Sequence, residues 1–175
     1  KYIVKEVITP HNLSPVDDFY VDVYENKPNE PQVWRVLVDE EFEAKLFIYK
    51  KDDETKKPIL KANTEFKIYD MDSKSYIEQI TTYPEKKVHT SYFTNDKGCL
   101  LMPETLKIGN YRIEEITAPE GYILNNNYVE FSIDSNTPYL IDNDTKEAII
   151  TIDYMDESVK GNLIVIKKGE VLTGY

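Results

Sequence analysis

Tyr111-Arg112-Ile113-Glu114-Glu115-Ile116-Thr117-Ala118-Pro119 decides how this chain is read, because a diverged copy stands at its beginning as Tyr2-Ile3-Val4-Lys5-Glu6-Val7-Ile8-Thr9-Pro10. Self-similarity at a long spacing marks a repeat architecture. The match continues downstream. Phe19-Tyr20-Val21-Asp22-Val23 corresponds to the stretch from Tyr128 to Ile133, and Asp39-Glu40 to Asp156-Glu157. Ala44-Lys45-Leu46-Phe47-Ile48-Tyr49-Lys50-Lys51 corresponds to Gly161-Asn162-Leu163-Ile164-Val165-Ile166-Lys167-Lys168. Residues 1–44 therefore read as the C-terminal half of a diverged repeat, 45–159 as a complete repeat, and 160–175 as the first strand of a following one. On this reading the chain begins in mid-repeat, as an excised piece of a longer protein would.

Composition agrees with a β fold. Tyr occurs 14 times, and Tyr, Val, Ile, Thr and Phe all suit a pleated, half-buried strand. Runs near Phe66–Ile68, Val88–Phe93, Tyr111–Ile116, Tyr128–Ile133 and Ile149–Tyr154 alternate apolar with polar. Turn-forming clusters such as Asp52-Asp53-Glu54-Thr55, Asn95-Asp96-Lys97-Gly98 and Asn125-Asn126-Asn127 separate the runs. Nothing reads as a long helix. The predicted class is all-β, an Ig-like sandwich in tandem repeats.

Composition also excludes several functions. A net charge of −11 without a basic cluster argues against nucleic acid or an anionic membrane surface as partner. The single cysteine, Cys99, leaves no intrachain disulfide, no redox pair and no Cys/His metal cluster, and it is expected to pack as a small apolar residue. No cofactor or metal is expected. Asp70-Met71-Asp72-Ser73 and Asp142-Asn143-Asp144 offer carboxylates but lack the spacing of a full calcium loop. No apolar window of about eighteen residues is present to insert into a membrane.

Strand parity singles out three ionisable side chains. Side chains alternate across a strand with period two, so Lys50 shares the face of Leu46 and Ile48, while Lys51 continues that of Phe47 and Tyr49. Glu115 sides with Tyr111 and Ile113, and Glu114 goes with Arg112 toward water. Asp156 continues the parity of Ile150, Ile152 and Tyr154, whereas Asp153 belongs with Thr151. Burial disfavours the charged form of any ionisable group, which would leave a nucleophilic amine beside a protonated, electrophilic carboxyl. Attack by Lys50 on Asp156, with Glu115 polarising the carbonyl and moving protons, would give an amide and water. Alternation alone also admits two plainer readings: solvated charges at strand ends, or a buried salt bridge.

The stretch from Phe93 through Leu101-Met102-Pro103, Leu106, Gly109 and Tyr111 to Glu115-Ile116-Thr117-Ala118-Pro119-Glu120-Gly121-Tyr122 resembles the collagen-adhesin B-type (Cna B-type, prealbumin-like) repeat of Gram-positive surface adhesins and pilins. Its most specific element is E-x-x-A-P-x-G-Y. Lys50-Lys51-Asp52 with Lys57-Pro58-Ile59 is similar to the family's opening strand. The resemblance implies a Lys-to-Asp isopeptide bond between Lys50 and Asp156 with Glu115 as catalyst, and Asp153 as the alternative acceptor. Two departures stand out: the family's G-A-x-F is Asn63-Thr64-Glu65-Phe66 here, and Asn is commoner than Asp at the acceptor. In the incomplete flanking repeats, Glu6 and Asp39 match the catalyst and acceptor, and Lys167 matches the lysine.

The expected function is a structural stalk or shaft module of a cell-wall-attached adhesin or pilus-like filament, outside the cell. Its expected partners are neighbouring repeats or identical subunits, with a host extracellular protein as a further candidate. Self-cross-linking happens once per chain, so no turnover enzyme is expected. A rival reading is an adhesin domain that recognises a host protein or glycan through the sandwich loops. A hydrolase is the weakest reading, because Glu114 and Glu115 face opposite ways and cannot flank one substrate.

Overall fold

The computed structural model describes residues 1–23, 39–166 and 169. β1 (Tyr2–Val4) and β2 (Phe19–Val21) form a short antiparallel ribbon, and β3 (Glu43–Asp52) opens the main body. It is followed by β4 (Glu65–Asp70), β5 (Ser75–Tyr76), β6 (Gln79–Thr81), β7 (Lys87–His89), β8 (Tyr92–Phe93), β9 (Cys99–Leu101) and β10 (Leu106–Lys107). β11 (Gly109–Thr117), β12 (Val129–Ile133), β13 (Leu140–Ile141) and β14 (Ala148–Asp156) complete it. The all-β expectation holds.

Two five-stranded sheets enclose one core. The first runs β10-β3-β14-β13 with β9 also on β3, and the second runs β12-β11-β4-β5 with β8 also on β4. Alternation in β3 buries Ala44, Leu46, Ile48, Lys50 and Asp52 and turns the residues between them outward. Leu46, Ile48, Ile150 and Tyr154 of the first sheet pack with Phe66, Ile68, Ile113 and Ile133 of the second. At roughly 25 cal/mol per Å² of apolar surface removed from water, this core is the main term holding the sheets together.

β3 and β14, the first and last strands of the body, lie side by side in parallel, from Ala44 opposite Ala148 to Asp52 opposite Asp156. Parallel neighbours need a long crossover, and here nearly the whole sandwich is that crossover. Gly98 makes the end of β3 possible. With φ of +69°, it brings its carbonyl to the Lys50 amide at 2.9 Å, and a Cβ there would sit 1.8 Å from the Ile59 carbonyl oxygen.

Several expectations need correction. The run Val88–Phe93 is two strands, β7 on β6 and β8 on β4, because Thr90-Ser91 interrupts the ladder. The stretch 161–166, expected as the first strand of a following repeat, pairs with none of the described strands, so that expectation is not tested, and Leu163, Ile164, Val165 and Ile166 are exposed. Lys167 and residues 170–175 lie outside the described residues. Glu114 faces away from the core as parity requires, yet it is covered rather than solvated: Arg112 Nε and Tyr76 Oη each donate to it at 2.7 Å.

Candidate cross-linking site

Three strands deliver the three buried ionisable groups to one point at the end of the core. Lys50 comes from β3 and Asp156 from β14 in the first sheet, and Glu115 comes from β11 in the second. Side chains of all three are fully buried. Each strand obeys its own parity up to this point, so the alternation that buries Leu46, Ile48, Ile113 and Ile150 also buries the three ionisable groups.

Lys50 Nζ donates to Glu115 Oε1. It also lies 2.5 Å from Asp156 Oδ1 but outside hydrogen-bond geometry, and neither oxygen of Asp156 accepts a hydrogen bond among the described residues. The ion pair with Lys50 is thus what compensates this buried carboxyl, and the amine touches a carboxyl that no backbone amide holds. Burial pushes the Asp156 carboxyl up to about 6; the Lys50 ammonium pulls it down and the Glu115 carboxylate pushes it up further. Burial thus favours the neutral form of the carboxyl that is expected to be attacked.

An aromatic wall dries the site. The Lys50 ammonium sits 4.2 Å from the Tyr154 ring centroid and 5.3 Å from that of Phe66, and the two rings meet edge to face at 5.0 Å. Burial, then the charges of Glu115 and Asp156, raise the Tyr154 phenol well above its ordinary range, so it remains a donor. Its hydroxyl reaches the Asn127 carbonyl at 3.2 Å.

Asn125 holds the catalyst candidate, and alternation gives no signal for it. Its backbone N–H donates to Glu115 Oε2 at 3.0 Å, and its side-chain Nδ2 donates to the Met155 carbonyl at 3.0 Å. One loop residue thus ties β11 to the residue just before Asp156. Asn125 reads in sequence as part of a turn cluster; only the fold shows where that turn points. Asp52 caps the turn that follows β3, taking the Thr55 amide at 2.6 Å and hydroxyl at 2.8 Å, which hold its carboxyl below the usual range.

The remaining candidates are placed elsewhere. Asp153 points outward and pairs with Lys51 at 2.5 Å, on the opposite face of the sheet from Lys50. Glu6 Oε2 accepts the Val16 amide at 2.7 Å in the N-terminal ribbon, and Asp39 is exposed. Asp70 and Asp142 each use Oδ1 to accept backbone N–H groups of their own turns, from Asp72 and Ser73 and from Asp144 and Thr145. Cys99 is buried, with Sγ 3.2 Å from Asn95 Oδ1.

Comparison with known proteins places this geometry. The family description "SpaA: Prealbumin-like fold domain" matches residues 44–148. The solved structure of the Bacillus anthracis TIE protein is similar with a TM-score of 0.50 and 25% identity, over 90% of this chain and 25% of that one. GBS52, the minor pilin in the gram-positive pathogen Streptococcus agalactiae, is similar with a TM-score of 0.50 and 18% identity, over 74% of this chain and 51% of that one. The chain thus spans a quarter of the first protein and about half of the second. No curated protein sequence matches. The sandwich, its buried Lys/Glu/Asp cluster and the matched residues lead to one statement of kinship: the chain belongs to the SpaA prealbumin-like fold domain family.

Proposed function

We propose that this chain is a structural shaft or stalk module of a bacterial cell-surface adhesin or pilus-like filament, hardened by an isopeptide bond between Lys50 and Asp156 that forms once, with Glu115 as catalyst. The observation that carries this reading is the contact of a buried amine with a buried carboxyl that accepts no hydrogen bond among the described residues. The reaction balances without a co-reactant. Lys50 Nζ bonds to the Asp156 side-chain carbonyl carbon, Glu115 takes a proton from nitrogen and returns one to the departing hydroxyl, and water leaves. Fixed contact between the reacting groups can lower such a barrier by about 7–11 kcal/mol.

The topology gives the bond a mechanical use. Tension entering at the start of β3 and leaving at the end of β14 would pass from Lys50 directly to Asp156, bypassing the residues between them. The sandwich would then not unzip from its ends. Membership of the family and the likeness to a minor pilin support a surface location, with neighbouring repeats or identical subunits as partners. Glu6, Asp39 and Lys167 would serve the same chemistry in the flanking repeats. The test is the intact mass under denaturing conditions. The wild-type chain is expected one water short of its sequence mass, with Lys50→Ala and Glu115→Ala at their full masses. A wild-type chain at full mass would sink the proposal.

A further inference from the structure

The N-terminal ribbon repeats the body in geometry, not only in sequence. β1 and β2 pair Tyr2 with Val21 and Val4 with Phe19; β11 and β12 pair Tyr111 with Phe131 and Ile113 with Val129. The loop after each copy of the motif then does the same thing. Leu13 bridges Glu41 as Tyr122 bridges Ser158. Ser14 N donates to the Glu40 carbonyl at 2.8 Å as Ile123 N does to Glu157 at 2.9 Å, and Phe42 N donates to Asn12 at 3.0 Å as Val159 N does to Gly121 at 2.8 Å. Asn12 at φ of 65° even adopts the left-handed conformation of Gly121 at 88°.

At the first of these joints the structure shows what the loop meets. Phe42, whose amide is held by Asn12, is itself buried in the core of the following sandwich. The Asn12 amide also donates to Ser135 Oγ at 2.9 Å, and that hydroxyl lies 3.3 Å from His11 Nδ1. Ser135 belongs to the turn after β12. Phe42 is therefore tied to the preceding ribbon by its backbone and to the next core by its side chain. At the second joint the counterpart of Phe42 is Val159, which is exposed.

We propose that the loop following the motif is a rigid coupling between successive repeats: it clamps the connecting segment, and the clamped apolar residue plugs the core of the next repeat. The surface formed by Gly121, Tyr122 and Val159 is accordingly the seat of another repeat of this kind, whose first strand would begin within residues 161–166. This coupling does not depend on the cross-link, so the two proposals fail separately. A flexible tether would let repeats swivel; this joint transmits torsion and bending.

The test is the set of residual dipolar couplings of backbone amides in the whole chain. Amides of β1 and β2 are expected to fit the same alignment tensor as those of β3 to β14. Asn12→Pro removes the N–H given to Ser135 and cannot hold a φ of 65°, so the ribbon couplings should lose most of their magnitude while those of the body persist. Asn12→Gly, which copies the second joint, should retain the common tensor. Ribbon couplings in the wild type that average toward zero or need a separate tensor would overturn the proposal, as would an unchanged fit in Asn12→Pro.

Discussion

Lys50 and Asp156 meet across a parallel ladder two residues out of register. The ladder sets Lys50 opposite Tyr154 and Asp156 opposite Asp52, so the lysine reaches forward along the inward face to bring Nζ within 2.5 Å of Oδ1. A shorter residue at position 50 would leave that gap open. Glu115, arriving from the other sheet, closes the site from above.

The acceptor can be identified by mass. Asp156→Ala should restore the full sequence mass, while Asp153→Ala should remain one water short. Asp153 faces solvent beside Lys51, so its loss should change stability by no more than about 1 kcal/mol. Loss of the bond in Asp153→Ala would reverse the assignment.

Removing the bond should be costly for stability. A cross-link closing a loop of about a hundred residues stabilises by about 4–5 kcal/mol on the disulfide analogy. Lys50→Met keeps most of the side-chain volume but also leaves two carboxyls buried without a cation. Denaturant unfolding should place it at least about 4 kcal/mol below the wild type. A smaller gap than about 1 kcal/mol would argue that no bond had been present.

The pH dependence has a definite sign. Asp156 is raised from 3.8 in its ordinary state to about 6 in the fold, so its contribution to stability is present in full below the lower value and lost as pH rises through the higher one. Glu115→Ala provides an unlinked background in which burial, the largest cause of the shift, remains. Its stability relative to Glu115→Ala/Asp156→Asn should fall as pH rises from about 4, and the fall should end at a lower pH than in the intact site because the push from Glu115 is gone. A flat difference would mean that Asp156 titrates normally.

Asn125→Ala should slow the reaction without abolishing it. The variant loses the Nδ2 bond to the Met155 carbonyl and loosens the amide that holds Glu115. Small displacements of a reacting group cost up to about a hundredfold in rate, so a slowing of about 10- to 100-fold is expected. Unlinked chain recovered from inclusion bodies, diluted out of denaturant and followed by mass against time, would show it. An unchanged rate would reduce Asn125 to a loop residue.

Gly98→Ala should weaken the end of β3. A Cβ would collide with the Ile59 carbonyl, and the φ of +69° disfavours any residue with a side chain. A loss of at least about 2 kcal/mol in a thermal or denaturant melt is expected. Because Gly98 accepts the Lys50 amide, the variant should also form the bond more slowly.

Much of this protein is legible along the chain because strand alternation is a local rule. Which face Leu46, Ile48 and Lys50 share, and which face Tyr111, Ile113 and Glu115 share, follows from the period of two alone. The internal copy of the motif likewise needs no coordinates. Parity, however, says only that a side chain points inward. It does not say that β3 and β14 are parallel neighbours, that Glu115 arrives from the opposite sheet, or that Asn125 reaches its carboxylate. Those depend on which strands pair, and pairing is settled by burial summed over the whole core. Glu114 shows the limit from the other side: its outward direction is readable, but the cover supplied by Tyr76 and Arg112 comes from β5 and from a neighbour on its own strand face. The fold class and the inward direction of three charges can be read along the chain; that the three touch follows from the packing of the sheets, because contact between residues distant in sequence is a property of packing and not of period.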